Sequence, residues 1–217
     1  MRPQVIGISG SPIKNSNTDR LVQSVLNNTG LETEFIKLST KKVQPCAACL
    51  GCTKDNVCKV KDDFQEIAEK VRYAGAIVVG GYSPYASLDA YTKSFLERLF
   101  SLRHQNGLNR GKLAVTVVTG IGRGAPGLDA ASDQLGQALM MEGMDVLESL
   151  KVVGNTECMV CGYGQNCPMS SLSWVFGDDT EITPEKFCQV EGQSDTWAQA
   201  EVLGQTIAER LKKTQMM

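Results

Sequence analysis

One histidine, His104, stands among the 217 residues. No Cys–His or Ser–His–Asp catalytic arrangement can therefore be assembled around several imidazoles. His104 itself, just past a helical stretch, reads as a helix-end residue facing the helix dipole. Long apolar runs are also missing: no stretch reaches about 18 apolar residues, so no membrane-spanning helix is expected. Charge is close to balanced. The 22 Lys and Arg against 24 Asp and Glu leave a net charge of −2, which offers no surface for nucleic acid or an anionic membrane. The first residues run straight into a strand pattern, without the charged, apolar and cleavage regions of a secretory leader, so a cytoplasmic location is expected. No internal repeat or low-complexity tract interrupts the chain.

Cysteine, by contrast, is plentiful. The eight are Cys46, Cys49, Cys52, Cys58, Cys158, Cys161, Cys167 and Cys188. Four fall within the 13 residues 46–58 and three within the ten residues 158–167. In a reducing compartment such clusters favour metal or redox chemistry over structural disulfides. With 42% hydrophobic residues, the chain can bury the core of one α/β domain with insertions, and 1–217 is expected to be a single domain.

Residues 4–9 are apolar and β-branched and read as a buried strand. A small polar turn, 10–17, leads into helical spacing over 18–28, with Leu21, Val22, Val25 and Leu26 on one side. Further strands are expected at 31–38, 75–81, 112–119 and 145–153. Helices are expected after the cap residues Asp62 and Asp63, and at 88–102, 125–141 and 197–211. Regular alternation of strands and helices implies a parallel sheet covered on both faces. Five strands suit an α/β flavodoxin-like three-layer sandwich with sheet order 2-1-3-4-5, and ligands at the carboxyl ends of strands 1 and 3. Two cysteine-bearing insertions interrupt it, a loop at 40–61 after strand 2 and a segment at about 155–192 after strand 5.

The turn Ser9-Gly10-Ser11-Pro12-Ile13-Lys14-Asn15-Ser16-Asn17-Thr18 joins the first strand to the first helix. Hydroxyls and free N–H groups at a helix N-terminus are what a phosphate monoester needs. The turn has neither the Gly-Lys-Ser/Thr of a nucleotide P-loop nor the Gly-x-Gly-x-x-Gly of a dinucleotide site. Two more loops reach the same sheet edge: Gly81-Tyr82-Ser83-Pro84-Tyr85-Ala86-Ser87 after strand 3, and Thr119-Gly120-Ile121-Gly122-Arg123-Gly124 after strand 4. A Pro/Tyr loop and a Gly-rich loop supply the wall and the backbone donors that a flat heteroaromatic ring requires. Read alone, each of the three is also an ordinary turn.

These elements resemble the NADPH-dependent FMN reductase family of the flavodoxin superfamily. The resemblance rests on the 9–18 turn, the cysteine loop ending Cys58-x-x-x-Asp62-Asp63, Ser83-Pro84-Tyr85, and Lys93-x-Phe95-x-x-Arg98, and it spans residues 4–153. The four-cysteine loop is similar to that of the iron–sulfur flavoprotein branch, which holds FMN and a [4Fe–4S] cluster, the cluster near a neighbouring subunit's flavin. The resemblance implies that Ser9, Ser11, Ser16, Asn17 and Thr18 hold the FMN phosphate. It implies that Ser83, Pro84, Tyr85, Thr119, Gly120 and Gly122 border the ring. Here Pro84 and Tyr85 are adjacent, where many relatives have a residue between them. No protein acid or base is required, since the cofactors carry the chemistry. The implied protein is a homodimer or homotetramer that moves electrons from a donor such as ferredoxin or NAD(P)H to an acceptor such as a quinone, oxygen or peroxide.

Cys46-x2-Cys49-x2-Cys52-x5-Cys58 offers four soft thiolates on one short loop, as a cubane cluster demands. A four-cysteine zinc site usually shows two separated pairs, which fits this spacing less well; an unoccupied loop is the third reading. Cys158-x2-Cys161-x5-Cys167, with Cys188 further on, repeats part of that spacing. A zinc site, a second cluster, a disulfide and a lid with incidental thiols all stay open there. Function divides likewise between an FMN and [4Fe–4S] redox protein, a cluster-free NAD(P)H-dependent FMN or quinone reductase, and a zinc-binding module or redox sensor on the same scaffold. Arg98 is expected to pair with a carboxylate structurally or to sit near a subunit interface.

Overall fold

The computed structural model describes residues 3–122 and 126–215. Five strands, β1 (Val5–Ser9), β2 (Thr33–Lys37), β3 (Ala76–Tyr82), β4 (Leu113–Gly120) and β5 (Asp145–Val153), pair in parallel in the order β2-β1-β3-β4-β5. Among the described residues six helices accompany them: α1 (Asn17–Asn27), α2 (Phe64–Tyr73), α3 (Ala90–Arg103), α4 (Pro126–Met141), the short α5 (Leu172–Phe176) and α6 (Ser194–Gln215). This is the flavodoxin-like architecture and strand order expected from the sequence. Arg123, Gly124 and Ala125, expected to end the Gly-rich loop and begin the fourth helix, lie outside the described residues.

Side-chain alternation sorts the sheet into two cores. Ile6 and Ile8 of β1 and Ile77 and Val79 of β3 face α2, α3 and α4, where they meet Phe64, Val71, Phe95, Leu99 and Leu135. Val5 and Val78, with Val115 and Val117 of β4, face the other way, toward Leu21, Val22 and Val25 of α1 and Ile207 of α6. Central strands buried on both faces read as continuous apolar runs, which is why 76–79 and 113–118 were legible as strands.

Helix α1 starts one residue earlier than the apolar spacing indicates, because Ser16 caps it. The Ser16 hydroxyl accepts from Asp19 N at 3.1 Å and Asp19 returns the bond to Ser16 N, a capping box. The 40–61 loop leaves β2 and returns to α2. The 155–192 segment leaves β5, holds only α5 and short 3₁₀ turns, and delivers the chain to α6. Among the described residues no helix is long and apolar enough to cross a membrane.

Candidate functional site

A cavity of about 410 Å³ opens at the carboxyl end of the sheet, between the β1–α1 turn, the ends of β3 and β4, and the 155–192 segment. Its size suits a cofactor, since such pockets run to about 300–1,000 Å³. Of the residues expected to contact a cofactor, Ser11, Ser16, Asn17, Thr18, Ser83, Thr119 and Gly120 line it. The hydroxyls of Thr18, in the first turn of α1, and Thr119, near the end of β4, meet at 2.8 Å. The N–H groups of Asn17 and Thr18 open α1 and belong to the donors that a helix leaves without partners. The positive end of the α1 dipole lies with them.

Ser9, Pro84, Tyr85 and Gly122 do not line the cavity. Ser9 is buried, and its hydroxyl donates to Asp19 Oδ1 at 2.6 Å. Asp19 also accepts from Lys37 Nζ at 2.6 Å, so the carboxylate beneath the turn is neutralised by a lysine from β2. Tyr85 is fully exposed, and its φ of 50° and the 58° of Ala86 hold the loop tip in the left-handed region. Ser83 bridges two walls: its N–H donates to Thr119 O and its hydroxyl to Gly127 O.

Sequence reading missed Tyr82, Asn155, Glu157 and Gln189, which also line the cavity. Tyr82 is the last residue of β3, so the period-2 alternation could have placed it at the strand's mouth. The other three come from the insertion, which supplies a fourth wall. Burial pushes the Tyr82 hydroxyl up, and the charges of Asp89 and Glu157 add to the rise.

Arg20 latches this wall to the turn. It donates to Glu191 and Gln189 of the insertion and to Asn15 O and Asn17 Oδ1 of the turn. Asn17 joins in: its Nδ2 donates to Cys188 O at 3.0 Å and its Oδ1 accepts from Val190 N at 3.2 Å. The Asn17 side chain is therefore spent on the insertion, and its N–H faces the helix mouth.

Cys46, Cys49, Cys52 and Cys58 line one small cavity against α3, with Cys46 and Cys49 exposed and Cys52 buried. Burial pushes the Cys52 thiol up; its own N–H works against this, and Cys58, Cys49 and Cys46 add to the rise. Ala48 and Leu50 sit at φ of 49° and 55°, so two left-handed reversals wind the loop between its cysteines. Such strain in non-glycine residues persists where surroundings impose it, often at ligand clamps.

Three anchors fix the loop, two to α3 and one to the start of α2. Arg98 donates to both oxygens of Asp62, to Gln44 O at 2.9 Å, and from Nε to Cys58 Sγ at 3.2 Å, while stacking over Phe64. Asn56, buried at φ 55°, donates from Nδ2 to Ser101 O at 2.9 Å and to His104 O. Asp63, at the α2 N-cap, accepts from Lys42 N rather than from its own helix. Asp62, expected as a cap, does accept from Phe64 N, but its main partner is Arg98. His104 caps the C-terminus of α3, as expected.

In the other set, Cys158 Sγ accepts from the Ser171 hydroxyl and N–H, each at 3.4 Å; these bonds pull its pKa down to about 7. Among the described residues, no three Cys, His, Asp or Glu side chains already stand in metal-ligand geometry at either set.

One helix serves both candidate sites. Near the N-terminus of α3, Thr92 packs against Gly10 of the first turn, and six residues on Arg98 holds the cysteine loop. Six residues of helix rise about 9 Å.

The model of the NADPH-dependent FMN reductase family matches residues 3–157. An iron–sulfur flavoprotein of Methanocaldococcus jannaschii is 34% identical over 147 residues, covering 66% of this chain and 75% of the relative. One of Methanosarcina thermophila is 29% identical over 197 residues, covering 86% and 94%. An archaeal flavodoxin of known structure superposes with a TM-score of 0.54 at 13% identity, over 96% of this chain and 98% of that one, a likeness of fold. With a family model spanning most of its length and these relatives beside it, the chain belongs to the NADPH-dependent FMN reductase family, an oxidoreductase family, in its iron–sulfur flavoprotein branch.

Proposed function

We propose that this chain carries FMN in the sheet-edge cavity and a [4Fe–4S] cluster on Cys46, Cys49, Cys52 and Cys58, and passes electrons between a reduced donor, ferredoxin or NAD(P)H, and an acceptor. The observation that carries the reading is that four cysteines line one small cavity, on a strained loop held by the helix that also packs against the phosphate turn.

The residues fit both groups. The Asn17 and Thr18 N–H groups, with the α1 dipole, hold the phosphate dianion. Lys37 cancels the nearest buried carboxylate, Asp19, so no negative charge opposes the phosphate from below. Thr18 of α1 and Thr119 and Gly120 of β4 border the cofactor, and Asn155, Glu157 and Gln189 close over it and exclude water. Bound there, the flavin supplies one- and two-electron chemistry and the cluster single-electron steps. At the loop, Arg98 places a permanent cation beside Cys58, which offsets the negative charge of a four-thiolate site.

The exposure of Cys46 and Cys49 and the unconverged thiols favour a second reading, a cluster-free NAD(P)H-dependent reductase. Flavin, iron and acid-labile sulfide content of anaerobically purified protein separates the two. About four irons with matching sulfide, lost when Cys49 and Cys52 are replaced by Ser, support the proposal. One FMN with no iron sinks it in favour of the second reading.

A further inference from the structure

The 155–192 segment is poorly held. Val160, Tyr163, Met169 and Trp174 are exposed, and few apolar side chains are buried beneath them. A stretch that buries so little needs a cross-link to keep one shape.

We propose that Cys158, Cys161, Cys167 and Cys188 supply it as a second metal site, a mononuclear tetrathiolate centre for zinc or iron(II). The backbone is already turned toward the sulfurs. Tyr163 N donates to Cys161 Sγ and Met169 N to Cys167 Sγ, each at 3.4 Å and each from two residues ahead. Cys158 Sγ accepts from Ser171 N at 3.4 Å. Three successive cysteines therefore receive N–H donors. A surface thiol has little use for them, whereas metal-bound thiolates hold negative charge that such donors stabilise.

The turns also fold back on themselves. Gly162 takes φ of 81°, and a Cβ on Gly164 would fall 2.0 Å from Cys158 O. Only glycine lets 164 lie against Cys158, which returns the chain toward its start and brings Cys167 round. Cys188 is laced to the same base: its N–H donates to Asn155 Oδ1 at 2.7 Å, and Asn155 Nδ2 donates to Cys188 O at 3.1 Å. Glu157 and Gln189 face the flavin cavity, while Cys158 and Cys188 beside them do not line it. Both sulfurs are thus free for a centre outside the flavin site.

A divalent ion displaces the four thiol protons into solvent, and four thiolates with one dication leave a site of net charge −2 that the N–H donors offset. The ion has to draw the sulfurs together, as it does wherever binding and folding are coupled. One ion at about 2.3 Å from each sulfur suits turns this tight.

The test is thiol alkylation mapped by mass spectrometry on the anaerobically purified full chain, before and after chelation, beside metal analysis of the wild type and of the Cys161→Ser/Cys167→Ser variant. Protection of all four thiols, lifted by the chelator, is expected. So is about one zinc or iron beyond the sulfide-matched iron, absent from the variant while its FMN is retained. Equal alkylation with and without chelator overturns the proposal. So does equal metal in variant and wild type, a Cys158–Cys161 disulfide, or about four further irons with matching sulfide. The map is read on the wild type, so a misfolded variant leaves it standing. It also reads each cysteine separately, so loss of the 46–58 cluster cannot imitate the result.

Discussion

Arg98 and Asp62 form a two-pronged ion pair, Nη1 to Oδ2 at 2.7 Å and Nη2 to Oδ1 at 3.0 Å, with both side chains wholly withdrawn from solvent. The pair joins the end of the cysteine loop to the middle of α3. Its worth lies in what happens when half is removed. Arg98→Met leaves a buried carboxylate without its partner, which costs about 3–5 kcal/mol. Urea denaturation of the variant is expected to show that loss. Arg98→Met with Asp62→Asn together are expected to lose less than the two single losses added. Additive losses would mean that the two side chains act independently.

The same pair sets an acid limit. Burial by itself raises the Asp62 pKa, but the Arg98 hydrogen bonds, the Gln44 N–H and the Arg98 charge outweigh it and leave the value below the ordinary one. A lowered folded value means that the unfolded chain binds the proton more readily. The pair's contribution is present above the unfolded value of about 3.9 and is lost as pH falls through the lower folded value. Stability measured between pH 5 and about pH 2 should therefore fall less steeply in Asp62→Asn than in the wild type. Parallel curves would assign the acid sensitivity to other carboxylates.

Gly10 is held by contact rather than by backbone angle. A Cβ there would stand 2.0 Å from Thr92 Oγ1 and 2.7 Å from Asp89 Oδ1, the side chain that caps α3. Gly10→Ala must push the α3 cap away from the first turn, at about 1–3 kcal/mol. Flavin content should fall with it, because the turn moves. Adding Thr92→Ala removes the nearest obstructing atom and is expected to recover part of both. Full flavin content in Gly10→Ala alone would show that the turn tolerates the shift.

Thr18 and Thr119 share one hydrogen bond across the cavity floor. Thr18→Val and Thr119→Val are each expected to weaken FMN binding by about 3–10-fold, the effect of one hydrogen bond of about 1 kcal/mol. Because the two hydroxyls act as a unit, the double variant should bind little worse than either single one. Fluorescence titration of apoprotein with FMN measures this, and multiplied effects would mean separate contacts.

The parts of this molecule that follow from periodicity were legible in the sequence. Ile6, Ile8, Ile77 and Val79 announce two-sided burial, and the order of strands and helices implies the sheet order seen here. The turn at 9–18 was legible through its position and residue types. What stayed hidden depends on contacts between distant segments. Arg20, Glu157 and Gln189 belong to the site only because the insertion folds back over it, and no local pattern encodes that return. Ser9 looked like a phosphate donor, yet its hydroxyl is taken by Asp19, a partner ten residues on. Arg98 left a carboxylate partner open on paper, and the structure supplies Asp62. Its bond to Cys58 could not be read from spacing at all.

The Arg20 latch predicts motion rather than global instability. Arg20 and Glu191 are 21% and 45% exposed, so their pairing is screened and worth no more than about 1 kcal/mol. The core on the α1 side does not depend on it, since Leu21, Val22 and Val25 stay buried whatever Arg20 does. Arg20→Met is therefore expected to leave the urea midpoint close to that of the wild type. Amide exchange at 188–192 should quicken by several-fold, because the Gln189 and Glu191 contacts are lost and Asn17 and Asn155 are left to hold that stretch at Cys188 and Val190. Release of bound FMN should quicken with it, since Gln189 closes one wall of the cavity. Unchanged exchange at 188–192 would mean that Asn17 and Asn155 hold the wall without Arg20.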